Sequence, residues 1–119
     1  MAVRSSILIV DDDPDIRKVL NLLLNTTYDV AEVEDGASAI DYIREHPETD
    51  LVLLDVMMPG MSGLETCNEL RRYSNAPVLF LTAKSAERDR ISAYRSGGDD
   101  FLSKPFSQGE FMAKVNSLL

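Results

Sequence analysis

The sequence predicts an α/β fold, a (βα)5 doubly wound parallel sheet, and three observations predict it. Short apolar runs alternate along the chain with helical patterns. The strongest runs are apolar at every position, which suits parallel strands buried on both faces. The chain has 119 residues, 45% of them hydrophobic, enough for one domain over residues 1–119 and one core.

The first strand is the run Ile7-Leu8-Ile9-Val10. Ile16, Val19, Leu20, Leu23 and Leu24 then recur at i, i+3, i+4, i+7 and i+8, the stripe of an amphipathic helix. A weaker, more polar run, Val30-Ala31-Glu32-Val33, reads as a second strand at a sheet edge. After the turn at Asp35-Gly36, Ala39, Ile40 and Ile43 mark a second helix. Leu51-Val52-Leu53-Leu54 is the third strand, and Leu64, Cys67 and Leu70 mark the helix after it. Val78-Leu79-Phe80-Leu81 is the fourth. The fourth helix, about residues 86–95, is mostly polar, with Ile91 and Tyr94 as its apolar anchors. A short strand at Asp100-Phe101-Leu102 precedes a fifth helix marked by Phe111, Met112, Val115, Leu118 and Leu119. Right-handed crossovers place helices on both faces of such a sheet. For so short a chain the expected strand order is 2-1-3-4-5, the flavodoxin-like order.

Composition excludes several function classes. The net charge of −8 and the pI near 4.5 make this domain a poor ligand for nucleic acid, which demands an excess of Lys and Arg. The field suits cations or basic partners instead. A single cysteine excludes an internal disulfide framework and a Cys-based zinc site, and agrees with a cytoplasmic setting. No apolar run approaches the ~18 residues of a membrane span. The opening MAVRSS leads into four apolar residues and then three aspartates, unlike a signal peptide. Cys67 falls on the helix stripe and reads as core. His46, before Pro47, reads as a solvated helix-end residue.

The polar residues are more telling in position than in number. Functional groups in doubly wound sheets gather beyond the carboxyl ends of the strands. There, strand 1 runs into Asp11-Asp12-Asp13, strand 3 into Asp55, strand 4 into Thr82 and strand 5 into Ser103-Lys104-Pro105. In the expected order all four groups line one crevice. Clustered carboxylates repel and some protonate unless a cation sits among them. Oxygen ligands without His or Cys suit a hard cation, Mg²⁺ best. A lysine and a threonine hydroxyl complete a set able to hold a phosphoryl group. A carboxylate can be the nucleophile in phosphoryl transfer, so the constellation predicts a phosphoryl acceptor on one Asp.

Each residue also has a plainer reading. Asp13 before Pro14 reads as a helix N-cap with proline at the first helical position, which leaves Asp11 and Asp12 surplus to capping. Asp55 could serve the turn before Pro59-Gly60, Thr82 a hydroxyl turn and Lys104 a solvated loop. The functional reading rests on all four meeting at one sheet edge.

With these motifs the sequence closely resembles the receiver (phosphoacceptor) domain of bacterial two-component response regulators. The resemblance runs from ILIVDDDPDIRKVL through LVLLDVMMPGMSGLE and LFLTAK to GGDDFLSKPF, and so covers the whole chain. It implies that Asp55 takes a phosphoryl group from a phosphohistidine on a sensor histidine kinase. It implies Mg²⁺ held directly by Asp12, Asp55 and the backbone carbonyl of Met57, with Asp11 acting through a metal-bound water. Lys104 would pair with Asp55 and later with a phosphoryl oxygen. Thr82 and the backbone N–H of Ala83 would bind the other oxygens. Receivers catalyse their own phosphorylation and usually their own slow dephosphorylation, and Met57 and Lys84 match positions that tune the latter.

The same resemblance implies a switch. Thr82 is drawn toward the phosphate, Phe101 rotates inward behind it, and the face of helix 4, strand 5 and helix 5 changes. The plain alternative for Phe101 is a core aromatic. Three departures stand out: Phe101 where Tyr is frequent, Gly97-Gly98 where Gly-Ala is usual, and Asn116 where a basic residue is frequent. Lys104-Pro105 matches a cis peptide of the family. MPGMSGLE, AERDRI and GGDDFLSKPF look most like receivers joined to a winged-helix DNA-binding domain. In such receivers Asp99, Asp100 and Lys114 would pair across a two-fold homodimer. The ending Ser117-Leu118-Leu119 lacks a cap or polar tail, so the chain is expected to be the N-terminal part of a longer regulator, reaching DNA only through a further C-terminal domain. The alternative function is a stand-alone or degenerate receiver used as a protein-binding module. An electron carrier of flavodoxin type is disfavoured, because three aspartates after strand 1 would repel a flavin phosphate. A phosphatase using Asp55 lacks a separate acid/base.

Overall fold

The computed structural model describes residues 4–82 and 97–119. Its strands are β1 (Ser6–Val10), β2 (Asp29–Val33), β3 (Leu51–Asp55), β4 (Val78–Thr82) and β5 (Asp100–Ser103). The helices are α1 (Pro14–Leu24), α2 (Gly36–Glu45), α3 (Gly63–Leu70) and α4 (Gln108–Leu118). α4 is the fifth helix of the sequence pattern. The fourth, with Ile91 and Tyr94, lies outside the described residues, as do Ala83 and Lys84. All strands are parallel, in the expected order β2-β1-β3-β4-β5.

The alternation of side chains along each strand divides the core in two. Ile7, Ile9, Leu51, Leu53, Leu79, Leu81 and Leu102 pack under α1 and α4, where Leu20, Leu24, Phe111 and Val115 meet them. Leu8, Val10, Val52, Leu54, Val78, Phe80 and Phe101 face the other way, against Ala39 and Ile43 of α2 and Cys67 and Leu70 of α3. β3 and β4 are buried throughout, which accounts for their unbroken apolar runs. β2 is only partly covered, as an edge strand should be.

Helix starts are written in local chemistry. Asp13 caps α1, accepting from the Asp15 N–H at 2.9 Å, with Pro14 as the first helical residue. Asp35 caps α2 through the Ser38 N–H at 2.8 Å. Ser62 and Glu65 form a reciprocal capping box on α3. Ser107 accepts from Glu110 on α4.

The stripes were narrower than the periodicity suggested. Val19 is 54% exposed and Leu119 42%. α1 meets the sheet along Leu20 and Leu24, and each residue along the helix turns by about 100°. Val19 therefore lies at the margin of the contact, and Leu22, two positions from both anchors, faces away.

Candidate phosphoryl and cation site

Two of the site's polar residues are the last residues of strands, one residue beyond the apolar runs. Asp55 closes β3 opposite Leu81, and Thr82 closes β4 opposite Ser103. The ladder continues past them, through Val56 N–H to Leu81 O at 3.3 Å and Lys104 N–H to Thr82 O at 2.6 Å. Their backbones are thus fixed by the sheet, and only their side chains need reach the crevice.

Asp11 follows β1 directly. Its N–H donates to the Val33 carbonyl at 3.3 Å, and its Oδ1 accepts from the Asp13 N–H at 2.9 Å. Its Oδ2 is buried without a hydrogen-bond partner. Asp55 is 7% exposed, and its Oδ1 accepts from the Met57 N–H at 3.2 Å. Asp12 is exposed at the mouth. One carboxylate oxygen from each of Asp11, Asp12 and Asp55 lies within 4.8 Å of the others. Lys104 Nζ stands 3.6 Å from Asp11 Oδ2 and 4.0 Å from Asp55 Oδ1. It therefore sits between two carboxylates and closer to Asp11, where the resemblance implied Asp55. Thr82 is fully buried, and Met57 exposes its side chain. The Lys104–Pro105 peptide is cis, as expected.

This crowding has an electrostatic cost. Burial pushes the Asp55 carboxyl up from 3.8 to about 6, and the Asp11 charge adds to it. Lys104 and the Met57 N–H oppose the shift, and Asp12 adds a little more. A buried oxygen with no hydrogen bond, beside two other carboxylates and with only the Lys104 ammonium near it, is a group prepared for a cation. The donors are all oxygen, so the residues fit Mg²⁺.

α3 is pressed against this site through Gly63. Its N–H donates to the Val56 carbonyl at 3.0 Å, and a Cβ there would overlap the Asp55 carbonyl. Between α1 and the Lys104–Phe106 segment lies an apolar groove of about 490 Å³, lined by Ile16, Val19, Leu23, Pro105 and Phe106 beside Lys104.

Sequence reasoning passed over two arginines. Arg17 donates to the Asp11 carbonyl at 2.6 Å; the only signal was a cation early in a helix, where the dipole disfavours it. Arg71 donates to the carbonyls of Gly97 and Ala76 and to Asp99 Oδ2. Asp99, assigned from sequence to a dimer pairing, is thus partnered within its own chain. Lys114 pairs with Asp100 of the same chain at 2.9 Å, and Asn116 accepts from the Tyr28 hydroxyl. Cys67 is buried in the core, and His46 closes α2 as its C-cap, both as expected.

A family model described as the response regulator receiver domain matches residues 7–116. The chain is 46% identical to the uncharacterized transcriptional regulatory protein YrkP of Bacillus subtilis, over 92% of this chain and 47% of that protein. It is 42% identical to the DNA-binding response regulator MtrA of Mycolicibacterium smegmatis, over 98% of this chain and 51% of that one. The chain therefore spans about half the length of these curated relatives. Among solved structures, a two-component response regulator from Clostridium difficile superposes with a TM-score of 0.90 at 27% identity, covering 97% of this chain and 95% of that one.

Proposed function

This chain belongs to the response regulator receiver family, and from that premise we propose that Asp55 is its phosphoryl acceptor. The observation that carries the reading is the Asp55 carboxylate itself. It is buried at a strand end, with two further carboxylates and Lys104 converging on it. The donor is a phosphohistidine on a sensor histidine kinase. A carboxylate oxygen of Asp55 attacks phosphorus, a P–O bond forms and the P–N bond breaks. The electron pair leaves with the imidazole nitrogen, which takes up a proton. With its pKa near 6, Asp55 is mostly ionised at neutral pH and able to attack.

Asp11, Asp12 and Asp55, with the Met57 backbone carbonyl, would hold Mg²⁺, Asp11 through a water. When bound, that ion supplies positive charge against the phosphoryl oxygens. Lys104 turns from Asp11 toward one phosphoryl oxygen, and the Thr82 hydroxyl donates to another. The apolar groove beside Lys104, with Val19 exposed in it, gives a kinase surface a place to rest while its histidine reaches the crevice.

The output follows from the sheet. Thr82 and Phe80 share a face of β4, and Phe101 lies opposite Phe80 on β5. Movement of Thr82 toward a phosphoryl group therefore opens space on the side where Phe101 lies. The changed surface includes β5 and α4 and serves a homodimer. Relatives of about twice this length are named as transcriptional and DNA-binding regulators, which supports control of transcription through a further domain. No helix among the described residues is long and apolar enough to cross a membrane, and the reading places the protein in the cytoplasm with its kinase. Incubation with an acyl phosphate and Mg²⁺ tests it. Intact mass should rise by one phosphoryl group, lost with EDTA and in Asp55→Asn. Equal labelling of that variant would overturn the assignment.

A further inference from the structure

Asp11 is held from several directions. Its N–H is taken by the end of β2 through Val33, and its Oδ1 by the Asp13 N–H. Its carbonyl, which belongs to the peptide joining Asp11 to Asp12, has left the sheet ladder. That carbonyl accepts from Arg17 Nη1 at 2.6 Å. Arg17 is itself aimed. Its Nε stands 3.4 Å from Glu32 Oε1 on the edge strand, and its side chain is only 17% exposed. Glu32 in turn accepts from Asn21 Nδ2, one turn further along α1, at 2.6 Å. A relay from α1 to β2 and back thus ends on the peptide between two acidic residues of the site.

We propose that Arg17 is a positioning residue for the Asp11–Asp12 pair: by fixing the carbonyl between them it directs both carboxylates toward Asp55. This rests on the reading of those carboxylates as the Mg²⁺ site. The planar fork of the guanidinium suits the task, because it meets the carbonyl and Glu32 at once. Glu32 offsets the positive charge that Arg17 would otherwise bring near an incoming cation. Without Arg17, the Asp11–Asp12 peptide loses the anchor on its carbonyl and is held only through the Asp11 N–H and Oδ1, so ordering the pair falls to the ion. Loss of a partner that orients metal-binding groups weakens affinity by about 10-fold or more.

The test is Mg²⁺ titration of the full chain by calorimetry or amide NMR, with no phosphodonor present. Arg17→Ala should raise the Mg²⁺ dissociation constant about 10-fold, and Arg17→Lys, which can still donate to the Asp11 carbonyl, should recover most of the loss. Glu32→Gln, which keeps the Arg17–Asp11 bond, should shift it less than Arg17→Ala. Leu20→Val loosens the packing of the same helix without touching Asp11, so it should lower the unfolding midpoint and leave Mg²⁺ affinity in place. Wild-type affinity in Arg17→Ala, or an equal loss in Leu20→Val, would overturn the positioning role while leaving the Mg²⁺ reading intact. Absence of Mg²⁺ binding by the wild type would instead overturn that underlying reading, and the proposal with it.

Discussion

Lys104 Nζ lies 3.6 Å from Asp11 Oδ2, an oxygen with no hydrogen-bond partner, and 4.0 Å from Asp55. The ammonium thus stands where it offsets the repulsion of two carboxylates, and it competes with any divalent ion for them. Lys104→Gln is expected to bind Mg²⁺ more tightly than wild type, by on the order of 1 kcal/mol, the scale of one nearby charge in a wet site. Isothermal titration of both proteins checks this, and weaker binding by the variant would contradict it.

Asp55 makes the metal-free protein sensitive to pH. Its carboxyl is raised from 3.8 to about 6, chiefly by burial and then by Asp11. The folded state therefore holds that proton more tightly than the unfolded chain. Its contribution is fully present below about pH 4 and is lost as pH rises to about 6. Asp55→Asn lacks this titration. In EDTA it is expected to be more stable than wild type at pH 7.5, by at most on the order of 3 kcal/mol. The difference should shrink as pH falls from 6 to 4. Denaturation midpoints across that range are the measurement, and a gap that widens on acidification would refute the account.

Gly63 is set by space alone. A methyl group there meets the carbonyl of Asp55, the proposed acceptor. Gly63→Ala is expected to cost about 2–3 kcal/mol, the upper range for overpacking, and to weaken Mg²⁺ binding because α3 and the end of β3 must separate. Urea unfolding and Mg²⁺ titration of one sample test both effects. Gly60, at φ 73° with open space around it, needs glycine for its backbone and should respond in stability alone.

Arg71 is the clamp at the opposite edge of the sheet. It gathers the carbonyls of Gly97 and Ala76 and the Asp99 carboxylate, which also accepts from the Val78 N–H at 2.9 Å. Arg71→Ala leaves these acceptors short of donors and is expected to destabilise by about 2 kcal/mol. Asp99 is half-exposed at 46%, so water takes up part of the loss. A denaturation midpoint unchanged from wild type would show that the clamp carries no weight.

The fold was legible because burial left its mark on every central strand. β1, β3 and β4 read as unbroken apolar runs, and the polar β2 read as an edge. The convergence of Asp11, Asp55 and Lys104 was legible because the strand order brings their strand ends together, so they could be placed at one sheet edge before any distance was known. What sequence left hidden is side-chain reach. Nothing in the pattern tells that Arg17 turns back to the Asp11 carbonyl, or that Arg71 crosses to Asp99, since each bond joins residues on different elements. The exposure of Val19 was hidden for a related reason: periodicity gives the direction of a stripe, and only the packing angle of α1 gives its width.

The central claim is that one carboxylate, Asp55, accepts the phosphoryl group. An acyl phosphate is reduced by borohydride to the alcohol, so phosphorylated Asp55 would become homoserine. Treatment with a small phosphodonor and Mg²⁺, borohydride reduction and peptide mass mapping should find homoserine at position 55. It should be absent when EDTA replaces Mg²⁺. Homoserine at Asp11 or Asp12 instead, or none under conditions where the protein binds Mg²⁺, would contradict the account.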